Sequence, residues 1–463
     1  MEKEIPMNLK FIEFMHTLGD AKCLIINGQC FTYRNVVDGM QRWDSEFSNY
    51  GITQGSVAAL EGAYSLDMVT AMLALFLRGV IVIPLSPNAK GERTDYYEIA
   101  HVEWTVFINT ETHLPPYSIK RRIAAQNHSI EQHPLYHQIV ESDHAGLVLF
   151  SSGTTGSPKA SLLDVHKMIA RYPDNKRPQI ILAFLSLDHI GGINTLLHTL
   201  SNGGVLVTVT ERNPRTVFEA IQNHRVQVLP TTPTFLNMIL LSDVCEKYNT
   251  SSLELITYGT EPMPQRTLDI IKITMPHVRL KQTYGLTELG IMPTKSKGNG
   301  SLWMKLGGSG FDYKILDNIL WVKSNMAMLG YLNADSPIDS DGYFNTQDVV
   351  IVDGDYVQIL GRKSEIINVG GEKVYPNEVE NVLLTMPNIA AVRVSGYPSH
   401  ITGYVIRATF QLVEYEDIGL FKVRVREHCK THLAPFKIPV VIEVTQSDLH
   451  SERFKMIRSG TIV

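Results

Sequence analysis

The chain has 463 residues, 44% of them apolar and 19% charged. At about 150 residues per domain that length implies two or three units, and the composition excludes wholesale disorder and a disulfide-stapled miniprotein. Forty-two Lys and Arg against 47 Asp and Glu leave a formal charge of −5, so there is no global basic field for gripping nucleic acid.

Cys23, Cys30, Cys245 and Cys429 form no CxxC pair and no zinc spacing, which points to free thiols in a reducing compartment. The start, Met1-Glu2-Lys3-Glu4, lacks the basic-then-apolar pattern of a signal peptide. The most apolar run, 71–85, is broken by Arg78 and falls short of the roughly 20 residues that span a bilayer. A cytoplasmic protein with no membrane span is expected.

Apolar spacing predicts a helix over 65–78 and a short β-branched strand over 80–85. Buried strands are predicted at 105–108, 147–150, 180–185, 205–209 and 255–258, with helices at 215–223, 234–241 and 265–273 among them. This alternation argues an α/β unit of mainly parallel sheets flanked by helices. After Gly361 the pattern changes to a helix over 377–386, strands at 390–394 and 404–412, an amphipathic helix over 418–432 and a strand at 440–444. The expected organisation is a large N-terminal domain, residues 1–361, and a small α+β C-terminal domain, residues 362–463. The boundary falls where Gly361-Arg362-Lys363-Ser364 interrupts the apolar pattern.

Three segments could carry chemistry. Ser151-Ser152-Gly153-Thr154-Thr155-Gly156-Ser157-Pro158-Lys159 follows the strand at 147–150 directly. Its glycines allow close backbone approach, its hydroxyls and amides can donate to phosphate oxygens, and Lys159 adds a cation. Ser157-Pro158 separates Gly156 from Lys159, unlike a Walker A loop, and as composition alone the stretch also suits a plain linker. Tyr284-Gly285-Leu286-Thr287-Glu288 joins an aromatic face to a hydroxyl and a carboxylate that could hold magnesium, although by itself it also suits a turn. Asp348 could accept hydrogen bonds from two sugar hydroxyls, or could simply be solvated.

In this order the segments resemble the adenylate-forming superfamily: acyl-CoA synthetases, aryl-acid ligases, peptide-synthetase adenylation domains and luciferase. The resemblance runs from about Phe31 to Lys455 and implies ATP, Mg2+ and CoA as reactants. It implies that Ser151, Ser152, Gly153, Thr154, Thr155, Gly156 and Lys159 surround the β- and γ-phosphates. Gly259, Thr260 and Glu261 would line the adenine pocket and Tyr284 would stack on the base. Thr287 would meet the α-phosphate, Glu288 would bind the metal, and Asp348 with Arg362 would hold the ribose.

By the same resemblance Lys363-Ser364 is the hinge, Gly370 and Gly371 form the thiol-acceptor loop, and Lys455 is the catalytic lysine. A mobile lysine can bridge an acyl carboxylate and the α-phosphate, offsetting the repulsion of two anions. Asp188 and His189 are candidates for the acyl pocket, although His189 equally suits a turn or the core. Ala160, Gln347, Ser364, Asn368 and Phe454 depart from the family pattern beside these positions.

The expected function is therefore ATP-dependent activation of a small-molecule carboxylic acid, with pyrophosphate release and transfer of the acyl group to CoA. Alternatives are loading of a carrier-protein phosphopantetheine, and a non-catalytic nucleotide-binding protein of the same fold. The acid itself is not legible.

Overall fold

A computed structural model describes residues 7–87, 93–109, 115–122, 133–151, 158–172, 177–209, 211–242 and 244–450. The predicted elements form where local chemistry favours them. Helix Leu66–Leu77 opens with Ser65, whose hydroxyl accepts from the Met68 amide, and ends before Gly79 at φ +70°, a backbone state cheap for glycine. Helix Ile418–His432 is capped by Asp417 at its start and carries Lys430 and His432 in its last turn, both favourable to the helix dipole.

Two seven-stranded sheets make up most of the large unit. The first runs Arg279–Gln282, Leu255–Tyr258, Val228–Thr231, Ile180–Leu182, Val205–Val207, Lys22–Ile26, Gln29–Thr32. Only its last pairing is antiparallel. The second places Val57–Glu61, Ile81–Leu85, Trp104–Ile108 and Gly146–Ser151 in a parallel centre with antiparallel strands at its edges. Strands Val57–Glu61 and Ile81–Leu85 are buried along their whole length, as expected where helices cover both faces of a parallel sheet. The helix between them, Leu66–Leu77, has an uninterrupted buried run from Met68 to Phe76.

A third sheet, six strands between Thr294 and Arg362 and wholly antiparallel, was not among the expectations. It carries Asp348 and Arg362 at one end of the strand pair Phe344–Asp353 and Tyr356–Arg362.

From Ile367 onward the chain forms its own five-stranded sheet and its own core, with Val379, Leu383, Phe410, Phe421 and Val425 at its centre. The predicted strands and helices of this unit recur with shifts of a few residues, the largest being strand Ile389–Ser399, which continues past 394. The small unit docks through main-chain carbonyls. Arg266 donates to the carbonyls of Leu384 and Met386, Asn237 Nδ2 to Ala390 O at 2.9 Å, and Asn377 Nδ2 to Leu360 O at 3.0 Å. Between the units lies a cleft with Asn237, Glu261 and Pro262 on one side and Asn377, Glu380 and His450 on the other. Among the described residues no helix is long and apolar enough to cross a membrane.

Candidate active site

Strand Gly146–Ser151 returns as Lys159–Asp164, with Ser151 paired to Lys159, so the two ends of the Ser/Thr/Gly stretch meet. Ser152, Gly153, Thr154, Thr155 and Gly156 lie outside the described residues. Asn333 ties down the far end of that stretch: its Oδ1 accepts from the Ala160 amide at 3.1 Å and its Nδ2 donates to Pro158 O at 2.8 Å. The ammonium of Lys159 lies 5.1 Å from the centre of the Tyr331 ring, within cation–π range.

Tyr331 links this cation to the second segment. It sits on a two-residue strand paired with Ser161, and its hydroxyl donates to Glu288 Oε1 at 2.7 Å. Burial, then the Glu288 charge, pushes the Tyr331 phenol far above its ordinary range, so it remains a donor. Glu288 is 9% exposed and follows half-buried Thr287 in the turn between strands Tyr284–Leu286 and Gly290–Met292. Gly285 is required in that hairpin, because a Cβ there would come within 2.7 Å of Gly290 O. Among the described residues the other Glu288 oxygen accepts no hydrogen bond.

Tyr284 reaches the third segment. Its hydroxyl donates to Asp348 Oδ2 at 2.6 Å, and Arg362 Nε lies 3.4 Å from Asp348 Oδ1. Asp348 is 7% exposed. Burial raises its carboxyl above the ordinary value, while the Arg362 charge and the Tyr284 hydrogen bond work against that rise. A carboxylate offers about four lone-pair sites, so two remain for further donors. The Tyr284 phenol is itself raised well beyond its ordinary value by burial and then by Asp348.

Gln347, just before Asp348, has φ +61°, a left-handed state that costs a residue with a Cβ roughly 1 kcal/mol. Gln347→Gly is expected to raise stability by about 0.5–1 kcal/mol, read as a higher denaturation midpoint, unless the side chain makes a compensating contact. A lower midpoint would show that it does.

The 259–261 segment is shaped by sterics. A Cβ on Gly259 would lie 2.6 Å from Thr283 Oγ1 and 2.8 Å from Thr283 O, so only glycine fits. Thr260 is exposed, with φ +75°, rare for a β-branched residue and a form of strain concentrated at functional sites. Glu261 Oε1 accepts from the Thr234 amide at 2.8 Å, holding the start of helix Pro233–Leu240.

Asp188, His189, Gly370 and Gly371 lie in turns or caps. His189 caps helix Ile190–Ser201, its Nδ1 accepting from the Gly191 amide at 3.0 Å, and Asp188 accepts from the Ser186 hydroxyl. A cleft beside that helix is lined by Met168, Arg171, Tyr172, Asn194, Ile291 and Met326 among others; Asp188 and His189 are not in its wall. Gly370 and Gly371, with φ +58° and +93°, make the turn between strands Ile367–Val369 and Glu372–Val374. The Gly370 amide bonds to Thr402 O of the same unit. Lys455 lies outside the described residues. Among the described residues no group of three or more His, Cys, Asp or Glu could hold a metal.

Sequence reasoning missed Tyr331 and Asn333. The signal was Gly330-Tyr331-Leu332-Asn333, a short turn-like stretch with no periodicity to draw attention.

Residues 12–332 match the family model described as AMP-binding enzyme, and residues 378–454 match the AMP-binding enzyme C-terminal domain. Among curated relatives, 4-coumarate–CoA ligase 1 of Petroselinum crispum is 26% identical over 84% of this chain and 81% of its own. The 2-succinylbenzoate–CoA ligase of Bacillus licheniformis is 26% identical over 91% of this chain and 92% of its own. Among solved structures, the anthranilate CoA ligase AuaEII in complex with anthranoyl-AMP superposes with a TM-score of 0.81 at 17% identity, covering 98% of this chain and 96% of that one. ATP-bound MatB from Rhodopseudomonas palustris gives 0.79 at 21% identity, covering 97% of both. These two likenesses bear on the fold.

Proposed function

The chain belongs to the AMP-binding enzyme family, and from that premise we propose that it is an AMP-forming acid–thiol ligase acting in two steps. In the first, a carboxylate oxygen of the acid attacks the α-phosphorus of ATP, the bond to the β-phosphate breaks and pyrophosphate leaves. In the second, the sulfur of CoA attacks the acyl carbon, its proton is lost and AMP leaves.

The observation that carries this reading is the convergence of Lys159, Tyr331 and Glu288, residues from three separate stretches, beside the Tyr284–Asp348–Arg362 group. The 151–159 loop would grip the β- and γ-phosphates and Thr287 the α-phosphate. Asp348 and Arg362 would take the ribose, with adenine between the Gly259–Glu261 backbone and Tyr284. One buried carboxylate with a free oxygen suits Mg2+, which is held by one or two carboxylates and otherwise by water and phosphate; when bound, the metal neutralises phosphate charge. Glu288 would orient it, and Tyr331 would orient Glu288.

CoA as the thiol is supported by the likeness to 4-coumarate–CoA ligase and 2-succinylbenzoate–CoA ligase. A holo carrier protein remains the other acceptor to test. Measuring pyrophosphate release across aryl, amino, short-chain and long-chain acids tests the first step, and AMP release with CoA or with a holo carrier protein decides the acceptor. No acid-dependent release across the panel would end the ligase reading. We place the working site in the cytoplasm and divide the chain into a large domain, 1–361, and a mobile small domain, 362–463.

The hinge proposal has a direct test. Lys363–Glu365 forms a 3-10 turn, preceded by Arg362 in an extended state, φ −88° and ψ 145°. Proline at 363 suits both, since it fixes its own φ near −65° and favours an extended residue before it. Lys363→Pro should therefore hold the described arrangement, in which His450 shares the inter-unit cleft with Glu261 and Gly370-Gly371 contacts its own unit. Single-turnover assays are expected to show adenylation kept and thioester formation reduced at least tenfold. Equal retention of both steps would mean that this turn need not move.

A further inference from the structure

The acyl group must lie near Thr287 and Glu288 if the ligase reading holds, and the inference below rests on that reading. Helix Ile190–Ser201 and the strand Gly290–Met292, which begins two residues after Glu288, border a narrow, otherwise largely apolar cleft.

Arg171 is the charged group in the lining of this cleft. Two of its five N–H donors are engaged, with Asn194 Oδ1 at 3.1 Å and Ile291 O at 2.8 Å, and both acceptors are neutral. Asn194 is held in turn by the Tyr172 hydroxyl, 3.3 Å from its Oδ1. Among the described residues no carboxylate lies within salt-bridge distance of Arg171 or of Lys281.

One turn beyond Asn194, His198 packs against Tyr172 with ring centres 5.7 Å apart. Burial first, then Arg171 and Lys281, hold His198 below its ordinary range. Burial likewise lowers Lys281, with Arg279 adding to the effect. The Arg171 charge is thus without a carboxylate partner among the described residues. A half-buried guanidinium with three spare donors is a ready bidentate partner for a planar anion.

We propose that the acid this protein activates carries a second anionic group, a carboxylate or its chemical equivalent, which Arg171 binds at the end of the acyl group remote from the reacting carboxylate. Arg171 is then a specificity residue for the first half-reaction. Asn194 and Tyr172 position it.

The test uses the full chain with ATP and Mg2+ and measures pyrophosphate release from matched acids of one skeleton with and without a second carboxylate, both aliphatic and aryl. The dianionic member of a pair is expected to have a kcat/KM at least tenfold higher. Arg171→Met should bring that ratio to about one, and Arg171→Lys should restore part of it. If the methionine variant fails to fold, Arg171→Gln keeps a donor for Ile291 O and serves the same comparison. A ratio of one or less in the wild type, or a ratio that survives Arg171→Met and Arg171→Gln, overturns the inference. ATP binding followed by calorimetry separates the two levels of failure. ATP bound and only neutral acids activated sinks this inference alone, whereas no activation of any acid sinks it together with the ligase reading.

Discussion

Replacing Lys455 by alanine is expected to slow acyl-adenylate formation by about 10²–10³-fold, the usual loss when one group stabilising developing charge is removed. Thioester formation from pre-made acyl-adenylate should be nearly unaffected, because in that step no carboxylate approaches a phosphate. His450, the last described residue, lines the inter-unit cleft. The contrast between the half-reactions is the informative readout. Adenylation at the wild-type rate would remove Lys455 from the mechanism.

Asp348→Ala carries the second large effect. Two ribose hydroxyls would lose a charged acceptor, worth about 1.5–3 kcal/mol, or roughly 10- to 150-fold in ATP affinity. The same change strips the Tyr284 hydroxyl and Arg362 of their partner. The Arg362 side chain is 43% exposed and can regain water, so most of the stability loss should come from the buried phenol. Asp348→Asn separates the two contributions, because it keeps an acceptor for Tyr284 and loses only the charge. An unchanged ATP dissociation constant for the alanine variant would place Asp348 outside the nucleotide site.

What the sequence made legible follows from range. Helices Leu66–Leu77 and Ile418–His432 announce themselves through caps and periodicity within a dozen or so residues, and their expected bounds match to within a residue. The third sheet did not, because several of its strands, such as Thr294–Ser296 and Met304–Leu306, are three residues long, too short for any period to register. The candidate site shows the same division. Tyr284, Glu288 and Asp348 stood out as motif residues, whereas Tyr331 matters through contacts with Lys159 and Glu288, 172 and 43 positions away, which no local pattern reports. His189 and Asp188 were ambiguous for the opposite reason. Their chemistry suited a pocket, but the nearest unsatisfied groups were the Gly191 amide and the Ser186 hydroxyl, and side chains of these types readily satisfy neighbouring backbone.

The docking of the small unit has a bearing on recombination between relatives. Arg266 and Asn237 address the carbonyls of Leu384, Met386 and Ala390, and Asn377 addresses that of Leu360. A carbonyl is present whatever the side chain at its position. Three of the four acceptors lie just beyond helix Pro376–Leu383 or at the start of the strand that follows. A small unit grafted from a family member would therefore present the same handholds to Arg266 and Asn237, provided its helix ended at the same place and its own surface sequence left them open. The join can be made in the 3-10 turn at Lys363–Glu365, leaving the Arg266 and Asn237 side of the contact unaltered.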